Sequence, residues 1–588
     1  MSVPAGFTNN MHRPLFACSF GLLFLILAGC ATFNSAPPTM PTAVATVTAV
    51  PATPTLSAPT DTATSPALSA DVPTITPTPY PPDLSIRPED VRLYPVPDIY
   101  AGEKVTFQIL AHVPDNVNPT DVTVHLLVNY QDVVSGTLNA SNLQGSGVGL
   151  FEWAWDTSGV VGDHLVHIIL DRYDAIQMGD ENRDNNQAVL EVTVLDPAAL
   201  SPPERNATWT AAEIACCVLH VVRGTAAERD LNQLKVAVET AVQQAATRLG
   251  EQPARKLDVY LIDRVIGQGG YAGYSVVISY LDRSYANNGF HQIMTHEAVH
   301  ILDRQFAPER INSLAEGVAV WASDGHYKPE NIDRRAAALV AIGQYVPLTQ
   351  LFDNFYPVQH EIGYLESAGF VKYLIDNYGW RRFRDFYSSV RAGDAATLSG
   401  AVDLKLQQHF NLTLAEAESQ WLAFLAQQPP DPATVTDLET TVRFYNVMRH
   451  YQQLYDPTAY FLTAWLPHPE TLVREGNPAD LTRRPRAEVN VTLEVMLQAA
   501  DTAVRTGNYQ QANILLDSIE RVLNNGEFID PLARHYLEVV RAADRSGFEV
   551  QQVALNGNRA VVKATPANGV NLVNLTIILA GGNWILSQ

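Results

Sequence analysis

The chain has 588 residues, of which 46% are hydrophobic and 17% charged, and its formal net charge is −23. That length exceeds what one hydrophobic core serves and implies several folded units. The acidic balance argues against nucleic acid as a partner, because phosphate binding needs clustered Lys and Arg, and four cysteines are too few for a disulfide-built scaffold.

His12 and Arg13 precede an apolar run from Leu15 to Leu27 that is too short to span a membrane comfortably. The run ends in Leu27-Ala28-Gly29-Cys30, which resembles the bacterial lipobox. The resemblance implies a lipoprotein signal peptide over residues 1–29, cut before Cys30, and a lipid on the Cys30 sulfur. It therefore implies a cell-envelope protein, anchored to a membrane and facing the extracytoplasmic side. Residues 30–85 are Pro, Thr, Ala and Ser almost throughout. Such a stretch cannot bury enough apolar surface to offset chain entropy, so a disordered tether is expected.

Over residues 86–197 the pattern has period two: Val105, Phe107 and Ile109, then Val122, Val124, Leu126 and Val128, alternate with polar residues. Short strands separated by turn residues predict an antiparallel β-sandwich. Gly179 to Asn186, before the last strand, resembles the closing turn of CARDB-like domains, the immunoglobulin-like modules of bacterial surface proteins. Trp153 and Trp155 are expected in its core. A spacer or binding role fits this unit.

Residues 198–428 carry the chemistry. A strand at Cys217–Val222 leads to a helix near Ala226–Leu249, whose apolar face is Leu231, Leu234, Val238, Ala241 and Ala245; Gly250 stops it. Strands follow at Leu257–Ile262 and Ser275–Leu281. The helical segment from His291 contains His296-Glu297-Ala298-Val299-His300, the HExxH zinc pattern. Residues four apart lie one turn above each other, so both imidazoles reach one ion. Glu297 lies about 100° round the helix, placed to act as general base on a zinc-activated water rather than as a ligand. Shortly downstream, Ser313 to Trp321 puts Glu316 in an apolar helical run, where a carboxylate is costly unless paired or metal-bound. His296, His300 and Glu316 then make three protein ligands for Zn2+ and leave a fourth position open.

His296 to His300, followed by Leu314 to Trp321, resembles the gluzincin metallopeptidases of the peptidase MA-like, thermolysin-like group. In that family a Glu matched here by Glu316 is the third ligand. Gly363 to Leu374, ending at Tyr378-Gly379, resembles another segment of the family, and by that match Tyr364 would donate to the oxyanion. The resemblance implies an α+β metallopeptidase domain, a peptide or protein as substrate, and an edge strand near the metal that pairs with an extended peptide, a role assigned to Ser275–Tyr280.

Other readings stand beside these. Asp303 shares the helix face of both histidines and is the alternative third ligand; His291, His326 and His360 are further candidates, more simply read as surface or structural residues. The glycine-rich run Gly267 to Gly273 precedes a strand-like run and no helix, so a hairpin is read there and not a phosphate loop. Cys216 and Cys217 are either free and buried or joined in a vicinal bridge.

Residues 429–545 read as helical, with Ala503 to Leu516 resembling half of a tetratricopeptide-like pair. Residues 546–588 read as a small β-rich unit with a hairpin at Asn556-Gly557. The whole predicts a multidomain chain acting as a membrane-anchored zinc metallopeptidase. The alternative is a catalytically inactive surface-binding or structural lipoprotein that keeps the scaffold.

Overall fold

The computed structural model describes residues 83–94, 98–140, 147–200, 207–286, 289–460, 483–567 and 569–587. The signal segment, Cys30 and nearly all of the tether lie outside them. No helix among the described residues is long and apolar enough to cross a membrane. The architecture is an N-terminal β-sandwich, a mixed α/β middle, a helical region and a C-terminal β-sheet.

The sandwich has one sheet of four strands and one of five. In the first, Lys104–His112 pairs antiparallel with both Val91–Tyr94 and Val148–Asp156. In the second, Gly162–Leu170 lies between Thr123–Val128 and Gln187–Leu195. Alternation sets the inward residues: Val105, Phe107, Ile109, Val124, Leu126, Val166 and Ile168 are fully buried. Trp155 is buried with them, while Trp153 packs at the margin. Leu84 and Ser85, which their surroundings in the sequence assign to the tether, are instead buried against this unit, with Ser85 bridged to His112.

The middle sheet runs in the order Trp209–Glu213, Cys217–Val222, Leu257–Ile262, Val276–Ser279, Gly270–Ala272. Its three central strands are parallel and its two outer pairings antiparallel. Parallel neighbours need a long crossover, and the helix Leu231–Leu249 supplies it, burying Leu234, Val238, Ala241 and Ala245. A short helix, Ala226–Arg229, precedes it, so the single helix expected from Ala226 is broken at Asp230. Gly250, at φ 69°, ends the helix in the left-handed conformation that glycine adopts at little cost.

Val276–Ser279 is an interior strand, not the edge. The edge is Gly270–Ala272, which folds back antiparallel on it. The glycines there have a steric reason. A Cβ on Gly269 or Gly270 would meet Ile293 of the HExxH helix at 2.7 and 2.9 Å, so only a bare backbone can lie this close to that helix. Cys216 and Cys217, at the head of the second strand, are joined in a vicinal disulfide.

Helices Pro432–Tyr455, Glu488–Arg505, Tyr509–Asn525 and Pro531–Asp544 form the helical region. The C-terminal sheet has four antiparallel strands, the first two joined by a tight turn between Asn556 and Arg559. Helices and sheet share one core, in which Leu493, Val539, Val562, Ile577 and Trp584 are buried together. Arg283, from the middle unit, enters this region fully buried. Its Nε bonds Glu494 at 2.5 Å, and its Nη1 bonds Glu549 at 2.9 Å and the Val550 carbonyl at 3.0 Å. Such an ion is tolerated only because each face of the guanidinium is answered.

Candidate metal centre

Three helices build the site. Phe290–Asp303 carries the HExxH segment and is held down by Met294, Ala298, Val299 and Leu302, all fully buried. Asn312–Ala322 carries Glu316. His360–Tyr378 carries Tyr364 and is buried along most of its length. The last two helices touch at Gly317, where an added Cβ would lie 2.7 Å from the Ser367 carbonyl oxygen and 2.8 Å from Val371. Glycine therefore sets how closely the helix of Glu316 approaches the helix of Tyr364. Gly317→Val is expected to force them apart, costing about 1–3 kcal/mol and weakening metal retention. Thermal melting and metal content of the purified variant check this.

The imidazoles of His296 and His300 turn to one point. Their Nε2 atoms are 3.0 Å apart, and the same Glu316 oxygen, Oε2, lies 2.9 Å from His296 and 3.1 Å from His300. Tetrahedral zinc with nitrogen and oxygen ligands at about 2.0–2.1 Å would set the donors about 3.3 Å apart. The observed spacings fall short of that by only a few tenths of an ångström. Among the described residues this is the one group of three or more His, Cys, Asp or Glu side chains close enough to share an ion. The donor set fits a divalent cation.

Electrostatics agree with the geometry. Burial would raise the Glu316 carboxyl, but His300 and His296 beside it win and hold it well below the usual carboxylate range. Burial opposes protonation of His296, yet the hydrogen bond and charge of Glu316 raise it. The pocket thus keeps a carboxylate ionised out of water, which is how a cation ligand behaves. Glu297 points into the same cleft without joining the cluster. Burial pushes it up to about 7, Glu316 adding to the rise while His296 opposes it.

Tyr364 lines the cleft, its ring stacked on His360 at 4.0 Å and facing His296 at 6.0 Å. Burial first, then the charge of Glu316, raises its phenol well above the ordinary value, so it remains a neutral O–H donor. The other candidates are placed elsewhere. Asp303 is fully buried and bonded to the Tyr387 hydroxyl at 2.6 Å, with Arg310 Nε at 2.9 Å; it locks the helix and stays outside the metal cluster. His291 donates to Gln244 at 2.8 Å. His326 donates through Nδ1 to Glu361 at 2.6 Å, and both His326 and His360 line the cleft wall without joining the cluster.

The cleft has a volume of about 480 Å³, within the range of small-ligand sites. Sequence reasoning missed several of its walls. Tyr356 sits on a loop beside Pro357, and Arg304 and Arg310 follow the HExxH helix; none belongs to a periodic pattern that would single it out.

No protein-family model and no curated protein matches the chain. Among solved structures it is similar to an M1 zinc metallopeptidase from Deinococcus radiodurans bound to a Tyr-Ser-Ala substrate, at 12% identity over 60% of this chain and 94% of that one, TM-score 0.27. It is also similar to an aminopeptidase N family protein from Idiomarina loihiensis, at 10% identity over 62% of this chain and 78% of that one, TM-score 0.24. A shorter match is to a CARDB domain from Pyrococcus furiosus in complex with di-metal ions, at 15% identity over 19% of this chain and 89% of that one, TM-score 0.16. Superposition at these scores is slight; the side chains of the cleft carry the chemistry.

Proposed function

We propose that the chain is a zinc-dependent peptidase of the gluzincin type, anchored by a lipid at Cys30 on the extracytoplasmic side of a bacterial membrane. The supporting observation is the meeting of His296, His300 and Glu316 within 3.1 Å of one another, with Glu297 in the same cleft. These three residues would hold the ion. Zinc bound there supplies a Lewis acid that polarises a carbonyl and acidifies a water.

The chain's own groups do the rest. Glu297, made more basic by burial, takes a proton from the attacking water and returns it to the leaving amine. Tyr364, kept protonated, donates its hydroxyl to the oxyanion of the tetrahedral intermediate. The edge strand Gly270–Ala272 offers main-chain groups to an extended peptide, the role the sequence assigned to Ser275–Tyr280. The β-sandwich serves as a spacer or partner-binding unit.

The test is cleavage of peptide libraries by the purified chain. Cleavage is expected, to be abolished by a zinc chelator and restored by added zinc. An absence of chelator-sensitive cleavage across substrates and pH would leave the inactive-scaffold reading in its place.

A further inference from the structure

The chain as a whole is strongly acidic, at −23. Its cleft is not. The acids that line it are Glu297 and Glu316, and both are committed, one to proton transfer and one to the ion. The remaining ionisable nitrogen groups of the wall, besides the two metal-facing imidazoles, are Arg304, Arg310, His326 and His360. A free N-terminal ammonium is held most strongly by an uncommitted carboxylate, since a charged acceptor makes the stronger hydrogen bond, and no such carboxylate lines the cleft among the described residues.

The two arginines line the same cleft. Arg310 is about nine-tenths buried and sets its Nε 2.9 Å from Asp303, while its Nη2 bonds the His300 carbonyl at 3.2 Å. Arg304 is exposed, and it bonds the carbonyls of Ala272 and Gly273 at the end of the edge strand. The two guanidiniums are close enough that Arg310 is the largest cause, after burial, of the lowering of Arg304. Among the described residues Asp303 is the carboxylate in ion-pair contact with the pair; Glu297 also attracts Arg304 but is reserved for proton transfer, so the positive charge is only partly answered. Like charges held together on a wall are relieved by an anion, and the guanidinium fork matches a carboxylate in shape.

Position gives the charge a use. The edge strand is only three residues long, and the Ala272 carbonyl is already taken by Arg304. An extended peptide laid along Gly270–Ala272 therefore runs out of partners where the guanidinium begins.

Resting on the peptidase reading above, we infer that the cleft selects peptides by a carboxylate, held by Arg304 and Arg310, and not by an N-terminal ammonium. The carboxylate is either the substrate's own C-terminus or an Asp or Glu side chain near the scissile bond.

The experiment is titration calorimetry on the full chain, zinc-loaded and carrying Glu297→Gln to stop turnover. One peptide sequence is used as free acid, as C-terminal amide, as N-acetylated free acid, and with an internal Glu exchanged for Gln. Loss of the preferred carboxylate should weaken binding about tenfold or more, the scale of a charge-assisted pair. N-acetylation should change affinity little. The amide arm and the Glu-to-Gln arm identify which carboxylate is read. Arg304→Gln, at an exposed position, should abolish the preference, and Arg310→Lys, which keeps a charge beside Asp303, should reduce it.

Equal affinity for all carboxylate and amide forms would overturn the inference. So would a large loss on N-acetylation, a preference that survives both arginine variants, or no binding of any peptide. Turnover is measured separately on the chain with Glu297 intact. A carboxylate preference without chelator-sensitive cleavage removes the peptidase reading and leaves the anion site. Cleavage without the preference removes this inference alone.

Discussion

Glu297→Gln is expected to lower peptide turnover by about 10²–10⁴-fold, the usual contribution of a positioned general base, while leaving the metal in place. The side chain lines the cleft beside the cluster and is not part of it, so the three donors keep their positions. Gln has nearly the same volume and carries no charge. Burial disfavours the ionised form of Glu297, so the amide relieves a cost, and the melting temperature should hold or rise. Steady-state kinetics, metal analysis and a thermal melt on one preparation separate a lost base from a lost fold. Undiminished turnover by the variant would remove Glu297 from the mechanism.

Glu316→Ala is expected to act at the step before, on the ion itself. One of three protein ligands disappears, and two imidazoles on adjacent turns remain. Outer-shell partners of metal ligands are worth about 10–100-fold in affinity, so loss of a direct ligand should weaken zinc binding by more than about a hundredfold. Zinc per chain should fall from near one to near zero after dialysis, and activity with it. Asp303→Ala is the matched control. It removes an acid from the same neighbourhood, but one that holds Arg310 and the Tyr387 hydroxyl. That variant should keep its zinc and lose stability instead. Unchanged zinc content in Glu316→Ala would refute it as the third ligand.

The parts of the site that were legible in the sequence are those where one helix fixes the geometry. A four-residue spacing puts His296 and His300 on one face, and an acid inside an apolar helical run marks Glu316. The sandwich was legible for a similar reason, since Val124 and Leu126 alternate with less buried neighbours, and Phe107 and Ile109 keep the same period although Thr106 and Gln108 beside them are buried too. Features fixed by distant partners were not legible. The edge strand Gly270–Ala272 has no apolar alternation to announce it; it exists because the backbone can pair with Val276–Ser279 and lie on Ile293. Trp209–Glu213 is partly polar and exposed, and only its pairing with Cys217–Val222 makes it a strand. His326 reads from the sequence as a surface or structural residue and stays outside the metal cluster, but nothing near it in the chain names Glu361, 35 residues away, which orients it. The same holds for the break at Asp230, whose carboxylate is claimed by Arg229 and the Tyr280 hydroxyl.

Arg283 bears on how the protein can be handled. Its positive charge belongs to the segment that holds the cleft, but the acids that neutralise it come from Glu494 and Glu549, far along the chain. A truncated product ending near residue 428 would expose an orphaned cation and a bare apolar flank around Leu281 and Tyr285. The segment that holds the cleft is thus not a cassette to be cut out and grafted, because its buried cation is answered only once the last helices and strands are in place.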